Sequence, residues 1–192
     1  MQCNTKKQAI RQEMKQKRRL LDSDFVLSKS LAICENILTL EAFKKAREIS
    51  VYMSAFNEVD TRHIISACLH MGKSLSVPVV QGDDIYLAKF SHDCLKGEFG
   101  ISEPRIKEEV SKTEVDLFIV PALAFDRCGS RVGFGKGYYD KLLSGTVATK
   151  IGLAYDFQMV DEIPCEKFDI KMDYVLTDKE IICTCNEGGQ HK

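Results

Sequence analysis

The stretch DLFIVPALAFDRCGSRVGFGKGYYDKLL, residues 116–143, sets an apolar run against a glycine-rich loop and the start of a helix. Asp116–Val120 leads into Pro121 as a continuous apolar segment, the pattern of a strand buried on both faces. Gly129, Gly133, Gly135 and Gly137 then fall within nine residues. Glycine permits positive φ and close backbone approach, so successive N–H groups can point into one concavity. A helix starting at Gly137 adds unpaired N–H donors and positive potential beside that concavity. Arg131 and Lys136 put full charges in the same loop, and Arg127 is a further candidate. Such a loop reads as an anion cradle suited to a phosphate chain. Asp140, on the first turn of the helix, is placed to hold a magnesium ion that bridges phosphate oxygens.

The spacing fits neither common nucleotide motif. The G-x-x-x-x-G-K-[ST] loop fails because Ser130 stands five before Gly135 and Gly137 follows Lys136. The G-x-G-x-x-G turn fails because Tyr138 or Asp140 takes the third glycine position. On spacing alone the glycine-rich strand–loop–helix favours a cradle, and a flexible surface turn is the lesser alternative until the basic residues and Asp140 are counted.

Outward from this segment, helical and strand periodicities alternate. Residues 5–19 read as a helix, with Ile10 and Met14 on one face and Lys7, Arg11, Lys15 and Arg18 on another. A second helix over 24–39 carries Leu27, Leu31, Cys34 and Leu38 at the 3.6-residue period, and a short third covers 41–46. Glu48–Met53 is β-rich, and a loop over 54–60 follows it. Asp60 or Thr61 caps a helix that ends at Gly72, and Asp60 is assigned to capping. Strands 75–80 and 85–90 flank the turn Gln81-Gly82-Asp83-Asp84. Residues 93–114 read as irregular, Asp126 as a turn former, and 151–154 and 174–176 as late strands. The order implies an α/β protein over residues 1–192 as one domain, a three-layer α/β/α sandwich on a mixed, mostly parallel sheet.

Composition narrows the function classes. The net charge of −1 recommends neither nucleic acid nor an anionic membrane as partner. The exception is local, since residues 1–19 carry seven Lys or Arg against the single acid Glu13. Of eight cysteines, Cys34 and Cys68 fall on apolar helix stripes and behave as small hydrophobes. The basic, polar N-terminus lacks the apolar core of a signal peptide, so reduced thiols and a cytoplasmic location are expected. Cys183-Thr184-Cys185 has no second Cys/His pair at zinc spacing. No apolar run reaches membrane-spanning length. His63, His70 and His92 pair with no plausible nucleophile.

Ala124-Phe125-Asp126-x-x-Gly129-x-Arg131-x-Gly133-x-Gly135-x-Gly137-Tyr138-Tyr139-Asp140 resembles the signature of the 5-formyltetrahydrofolate cyclo-ligase family. Three further segments are similar in the right order: Lys6-Lys7-x-x-Ile10-Arg11-x-x-Met14, Tyr52-Met53-Ser54-x-x-x-Glu58-Val59-Asp60-Thr61, and Met172-Asp173-Tyr174-Val175-Leu176. The resemblance implies a fold related to sugar-phosphate isomerases and CoA transferases. It implies ATP-dependent cyclisation of 5-formyltetrahydrofolate by a cytoplasmic enzyme, expected to be a monomer, with Mg2+ as cofactor and ATP as co-substrate.

Carried over by position, the resemblance places ATP on Lys7, Arg11, Arg131, Val132, Gly133, Phe134, Gly135, Lys136, Gly137, Tyr138 and Tyr139. It places the folate on Met53, Glu58, Gly135, Lys136, Gly137 and Tyr138, and magnesium on Asp140 and Asp173. Arg131 and Lys136 are the expected catalytic residues. One of Tyr138 and Tyr139 is expected to pack inward and the other to face the site. A small-molecule kinase on the same scaffold, or a non-catalytic binder of folate, nucleotide or RNA, stays open on residues alone.

Overall fold

Leu117, Phe118, Ile119 and Val120 are each at most 1% exposed, so the central apolar run is buried on both faces as its composition requires. The structure is a computed structural model and describes residues 2–184; Cys185, and with it the Cys183-Thr184-Cys185 spacing, lies outside the described residues.

Three helices come first, α1 (Gln2–Arg19), α2 (Ser23–Thr39) and α3 (Glu41–Lys45). Asp22 starts α2 by accepting a hydrogen bond from the Phe25 amide at 2.7 Å. Strand β1 (Glu48–Ser50) leads to α4 (Arg62–His70) and the hairpin β2 (Ser74–Gln81) and β3 (Asp84–Lys89). Then come β4 (Cys94–Lys96), β5 (Ser102–Pro104), β6 (Glu109–Val110) and the central β7 (Leu117–Pro121). A small hairpin, β8 (Ala124–Phe125) with β9 (Arg131–Val132), precedes α5 (Tyr138–Leu143), and β10 (Thr149–Leu153), β11 (Tyr174–Leu176) and β12 (Ile181–Cys183) complete the described chain.

The main sheet runs β12-β11-β10-β7-β1-β2-β3-β6. It is parallel from β11 across to β2 and antiparallel at both edges, which gives the mixed, mostly parallel character expected. One face packs Ile49, Leu117, Ile119 and Ile151 against Ile33, Ile37, Phe43 and Ile64 of the helices. The opposite face packs Phe118, Val120 and Val175 against Leu142 and Leu143 of α5, with Phe125 and Met172. This second cover is thin, one short helix and irregular chain. No described helix is long and apolar enough to cross a membrane.

Three expectations change. The strand expected over 48–53 ends at Ser50: the Val51 amide still donates to the Ser76 carbonyl of β2 at 2.9 Å, but the Tyr52 carbonyl accepts from the Thr61 hydroxyl at 2.7 Å. Residues 93–114, expected to be irregular, contain β4 and β5 as a separate pair and β6 on the edge of the main sheet. These strands are two or three residues long and too polar for a periodic signal. Strand β12 was likewise not expected.

Gly152 shows how tightly the second face is packed. A Cβ at this position would overlap the ring of Phe125, which lies across β10. Gly152→Ala should therefore destabilise the fold by about 1–3 kcal/mol through overpacking. Urea unfolding measures it, and adding Phe125→Leu should recover part of the loss.

Candidate functional site

The basic helix turns its charge inward. Lys7, Arg11, Met14 and Arg18 follow one another at helical spacing on one face of α1. Lys7 is 7% exposed, Met14 2% and Arg18 2%. Met14 and Ile10 anchor that face on Leu123, Ala124, Val132 and Ile163. The expected separation of a basic from an apolar face is thus corrected: of the four basic residues grouped together, only Lys15 is exposed, while the others flank the apolar anchor. Each inward cation has a partner on another segment. Lys7 Nζ donates to Asp169 at 2.6 Å. Arg11 Nε donates to the Gly133 carbonyl at 2.9 Å. Arg18 Nη2 donates to the Phe56 carbonyl at 2.6 Å.

The glycine-rich loop begins on β9 and ends on α5. Gly135 has φ 102° and Gly137 has φ 71°, conformations that side chains with a Cβ rarely adopt. The Arg11 guanidinium lies 3.7 Å from where a Cβ on Gly135 would stand, so α1 and the loop meet closely. Among the described residues, none of the amide N–H groups of residues 133–137 donates to a protein acceptor. They are therefore left without an internal acceptor, the condition under which loop amides are available to an anion.

Side chains around the loop divide into fixed and open. Arg131 Nη2 donates to Asp140 Oδ1 at 2.6 Å, and only 7% of the Arg131 side chain is exposed. Burial lowers the Arg131 guanidinium below its ordinary value against the pull of Asp140, Tyr139 and Asp169. Val132 is 1% exposed, so its backbone alone is available to a ligand. Phe134 is exposed, with Lys15 Nζ 5.5 Å and the Arg18 guanidinium 5.8 Å from its ring centroid. Lys136 is exposed and has no ion-pair partner among the described residues. Tyr139 packs inward with the Arg131 guanidinium 6.0 Å from its ring, whereas the Tyr138 hydroxyl donates to Gly82 of the β2–β3 turn at 2.8 Å. Arg127 leaves the cradle altogether, pairing with Glu180 through both terminal nitrogens at 2.8 Å. Asp126 does form the turn, accepting from the amides of Cys128 at 3.0 Å, Ser130 at 2.8 Å and Ile163 at 3.0 Å.

The two expected metal ligands have different surroundings. Asp140 uses Oδ1 for Arg131 and for the Ile170 amide at 3.3 Å, and its side chain is 30% exposed. Asp173 accepts from the Lys150 amide at 2.7 Å and pairs with the Lys150 ammonium at 3.0 Å. No cluster of three or more His, Cys, Asp or Glu side chains among the described residues could hold a metal by itself.

The segment after β1 forms the other wall. Phe56 and Asn57 adopt positive φ, 51° and 55°, making a tight turn before Glu58. Asn57 Nδ2 donates to the Arg18 carbonyl at 2.9 Å, and the Tyr155 hydroxyl donates to the Glu58 carbonyl at 2.8 Å. The Glu58 carboxylate accepts from the Ala55 amide at 3.1 Å and lies 3.5 Å from Arg18. Arg18 brings this turn and the glycine loop to one place, donating to the Phe56 carbonyl at 2.6 Å while its guanidinium lies 5.8 Å from the Phe134 ring. Met53 lines a groove of about 500 Å3 with Arg62, Ile65, Leu69, Phe90 and His92. Asp60 accepts from the Arg62 amide at 3.0 Å, a capping bond made one position before the N-cap residue, Thr61.

The sequence places Arg18 on the basic face of α1 without a site role, and it gives no sign of Asp169. Arg18 stands eleven positions after Lys7, on the face that Arg11 and Met14 define, so the helical period does point to it. Asp169 has no such signal, since its partner Lys7 is 162 residues away.

Burial raises the Glu58 carboxyl above the usual carboxylate value, opposed by Arg18 and the Ala55 amide. Because the folded value is raised, stability from the protonated form is present below the unfolded value and is lost as pH rises through the folded one. Glu58→Gln removes that dependence. Its melting temperature relative to the unsubstituted protein should climb steadily between pH 4 and pH 7, as read by thermal unfolding.

The 5-formyltetrahydrofolate cyclo-ligase family model matches residues 3–178. A mouse 5-formyltetrahydrofolate cyclo-ligase is 31% identical over 190 residues, covering 90% of this chain and 94% of its own. The Escherichia coli K12 5-formyltetrahydrofolate cyclo-ligase is 26% identical over 178 residues, covering 88% and 98%. A solved structure of Aquifex aeolicus 5,10-methenyltetrahydrofolate synthetase superposes with a TM-score of 0.85 at 33% identity, covering 97% of this chain and 96% of that one. With its sheet, its glycine loop and its inward basic helix in place, the chain belongs to the 5-formyltetrahydrofolate cyclo-ligase family of enzymes.

Proposed function

We propose that this enzyme closes 5-formyltetrahydrofolate to 5,10-methenyltetrahydrofolate, consuming ATP and releasing ADP and phosphate. The observation that supports it best is the cationic glycine loop, with its unpaired amides, standing beside the buried Glu58 turn, the two joined by Arg18, which lies 3.5 Å from Glu58 and 5.8 Å from the Phe134 ring. That arrangement offers a phosphate site and a polar-ring site side by side.

The chemistry explains why both are needed. The N5-formyl group is an amide whose oxygen is a poor leaving group. Transfer of the γ-phosphoryl of ATP to that oxygen gives an imidate phosphate and ADP. N10 then attacks the formyl carbon, loses its proton, and expels phosphate as the C–O bond breaks. N10 is tethered beside the carbon, so the closure has an intramolecular advantage of several kcal/mol. No protein nucleophile is required, and the protein's task is positioning and charge stabilisation.

In this reading Arg11 and the 133–137 amides hold the triphosphate, with Lys7 completing the basic face. Lys136 reaches the transferring phosphoryl, and Arg131 fixes the loop beside it. Glu58 accepts from the polar edge of the pterin, while Met53 supplies apolar contact. Magnesium, when bound with the nucleotide, neutralises and orients the phosphate oxygens. Asp140 fits such an ion, because its second oxygen carries no hydrogen bond among the described residues. Asp173, tied to Lys150, would have to exchange that partner to join it. The reading takes the protein as a cytoplasmic monomer with small-molecule partners only.

Purified protein mixed with 5-formyltetrahydrofolate, ATP and magnesium should generate the near-ultraviolet absorbance of the conjugated methenyl product. No absorbance change, or one independent of ATP, would overturn the proposal. In the same assay Asp140→Asn should lower turnover at least tenfold at limiting magnesium, on the order of one charge-assisted contact. Arg11→Ala removes a contact worth about 1.5–3 kcal/mol and should raise the ATP KM about tenfold or more. The formylfolate KM should change much less, since the Glu58 turn does not rest on Arg11. Steady-state kinetics with each substrate varied in turn decide it.

A further inference from the structure

Arg18 belongs to none of the roles above, yet its side chain is only 3% exposed and sits between both walls of the site. Its Nη2 donates to the carbonyls of Phe56 at 2.6 Å and Ala55 at 3.2 Å, and its Nε donates to Phe56 at 3.2 Å. The guanidinium lies 3.5 Å from the Glu58 carboxylate, and the Phe134 ring of the glycine loop covers it at 5.8 Å. Asn57 returns the contact by donating to the Arg18 carbonyl. We propose that Arg18 is a positioning residue for substrate recognition: it shapes the 55–58 turn and holds the Glu58 carboxylate ionised for the folate ring.

Two observations favour this over simple packing. The turn contains two consecutive non-glycine residues at positive φ, which persist only where their surroundings over-determine them. Arg18 and Asn57 supply that constraint. Second, Arg18 Nη1 is buried without an acceptor, a costly state for a side chain kept only for stability. An apolar residue of similar volume would fill the space at least as well. The charge is explained if Glu58 must stay ionised.

The groups facing Glu58 are Arg18 from α1, Tyr52 after β1, Tyr139 from α5 and Tyr155 after β10. Of these Arg18 alone is cationic. Burial pushes the Glu58 carboxyl up and Arg18 pulls it down, so without the guanidinium the acid would protonate at a higher pH. Binding of formylfolate would then fail on the acid side sooner, while ATP binding through Arg11 and the glycine loop would persist.

This inference rests on the reading of Glu58 as a substrate contact, and Glu58→Gln tests that reading separately. The experiment measures kcat/KM for 5-formyltetrahydrofolate across pH for Arg18→Gln, Arg18→Lys and Glu58→Gln, with the ATP KM recorded alongside. Arg18→Gln keeps donors for the turn but loses the charge. Its acid limb should move up by about one pH unit or more, its kcat/KM should fall about tenfold at neutral pH, and its ATP KM should stay within about threefold. Arg18→Lys should return the acid limb toward its original position while the formylfolate KM stays raised, because an ammonium lacks the planar fork that spans two carbonyls. An acid limb unmoved in Arg18→Gln overturns the proposal for Arg18 even where Glu58→Gln weakens formylfolate binding. A formylfolate KM unchanged in Glu58→Gln overturns the reading of Glu58 and the proposal with it. If Arg18→Gln does not fold, Arg18→Lys decides alone, and a displaced acid limb in that charged variant overturns the proposal.

Discussion

Strand β7 lies between β1 and β10 and runs parallel to both. Parallel neighbours release their chains at the same sheet edge, so the segment after β1 and the loop after β7 are obliged to meet there. In open α/β sheets, sites form outside the carboxyl ends of the strands for this reason. The pairing is secured by burial on both faces. Leu117 and Ile119 face α2 and α4, while Phe118 and Val120 face α5. The approach of the 55–58 turn to the glycine loop, bridged by Arg18, follows from that one adjacency.

Charge burial adds a second constraint, carried by the first helix. Lys7, Arg18 and Arg131 are all largely buried, and each is met by an acid or a pair of carbonyls from elsewhere. Exposed ion pairs contribute little, but a buried cation left without its partner is strongly destabilising. The helix therefore cannot peel away without leaving Asp169 and the 55–58 turn unsatisfied. Met14 supplies the apolar grip, and the cations on either side of it fix the register of α1 against two loops.

Much of this was legible from residues 116–143. A continuous apolar run, four close glycines and a following helix place a strand, a cradle and a helix start without reference to anything distant. Helical periods elsewhere gave the helices to within three residues at either end. The short edge strands escaped because two or three residues carry no period. Legibility failed most where charge was concerned. Sorting α1 into basic and apolar faces treats Lys and Arg as solvated by default, yet here their partners come from residues 55–58, 133 and 169. Asp140 could be placed beside the cradle from its position. That Arg131 would occupy one of its oxygens could not, because β9 and α5 approach only through the folded loop.

The way Arg131 is held bears on how the two basic residues of the loop divide their work. Arg131 is paired before any substrate arrives, and its remaining Nε is buried without an acceptor. Moving it onto a phosphate would expose Asp140 and empty a packed site beside Tyr139. Lys136 bears neither restraint, since it is exposed and unpaired among the described residues. Preorganised groups stabilise developing charge without reorganisation, whereas mobile ones must be ordered by the ligand. On the proposed reading, Arg131 and Asp140 form the rigid frame that keeps the glycine amides in place. Lys136 is then the charge that closes over the phosphoryl once ATP and the folate are both seated.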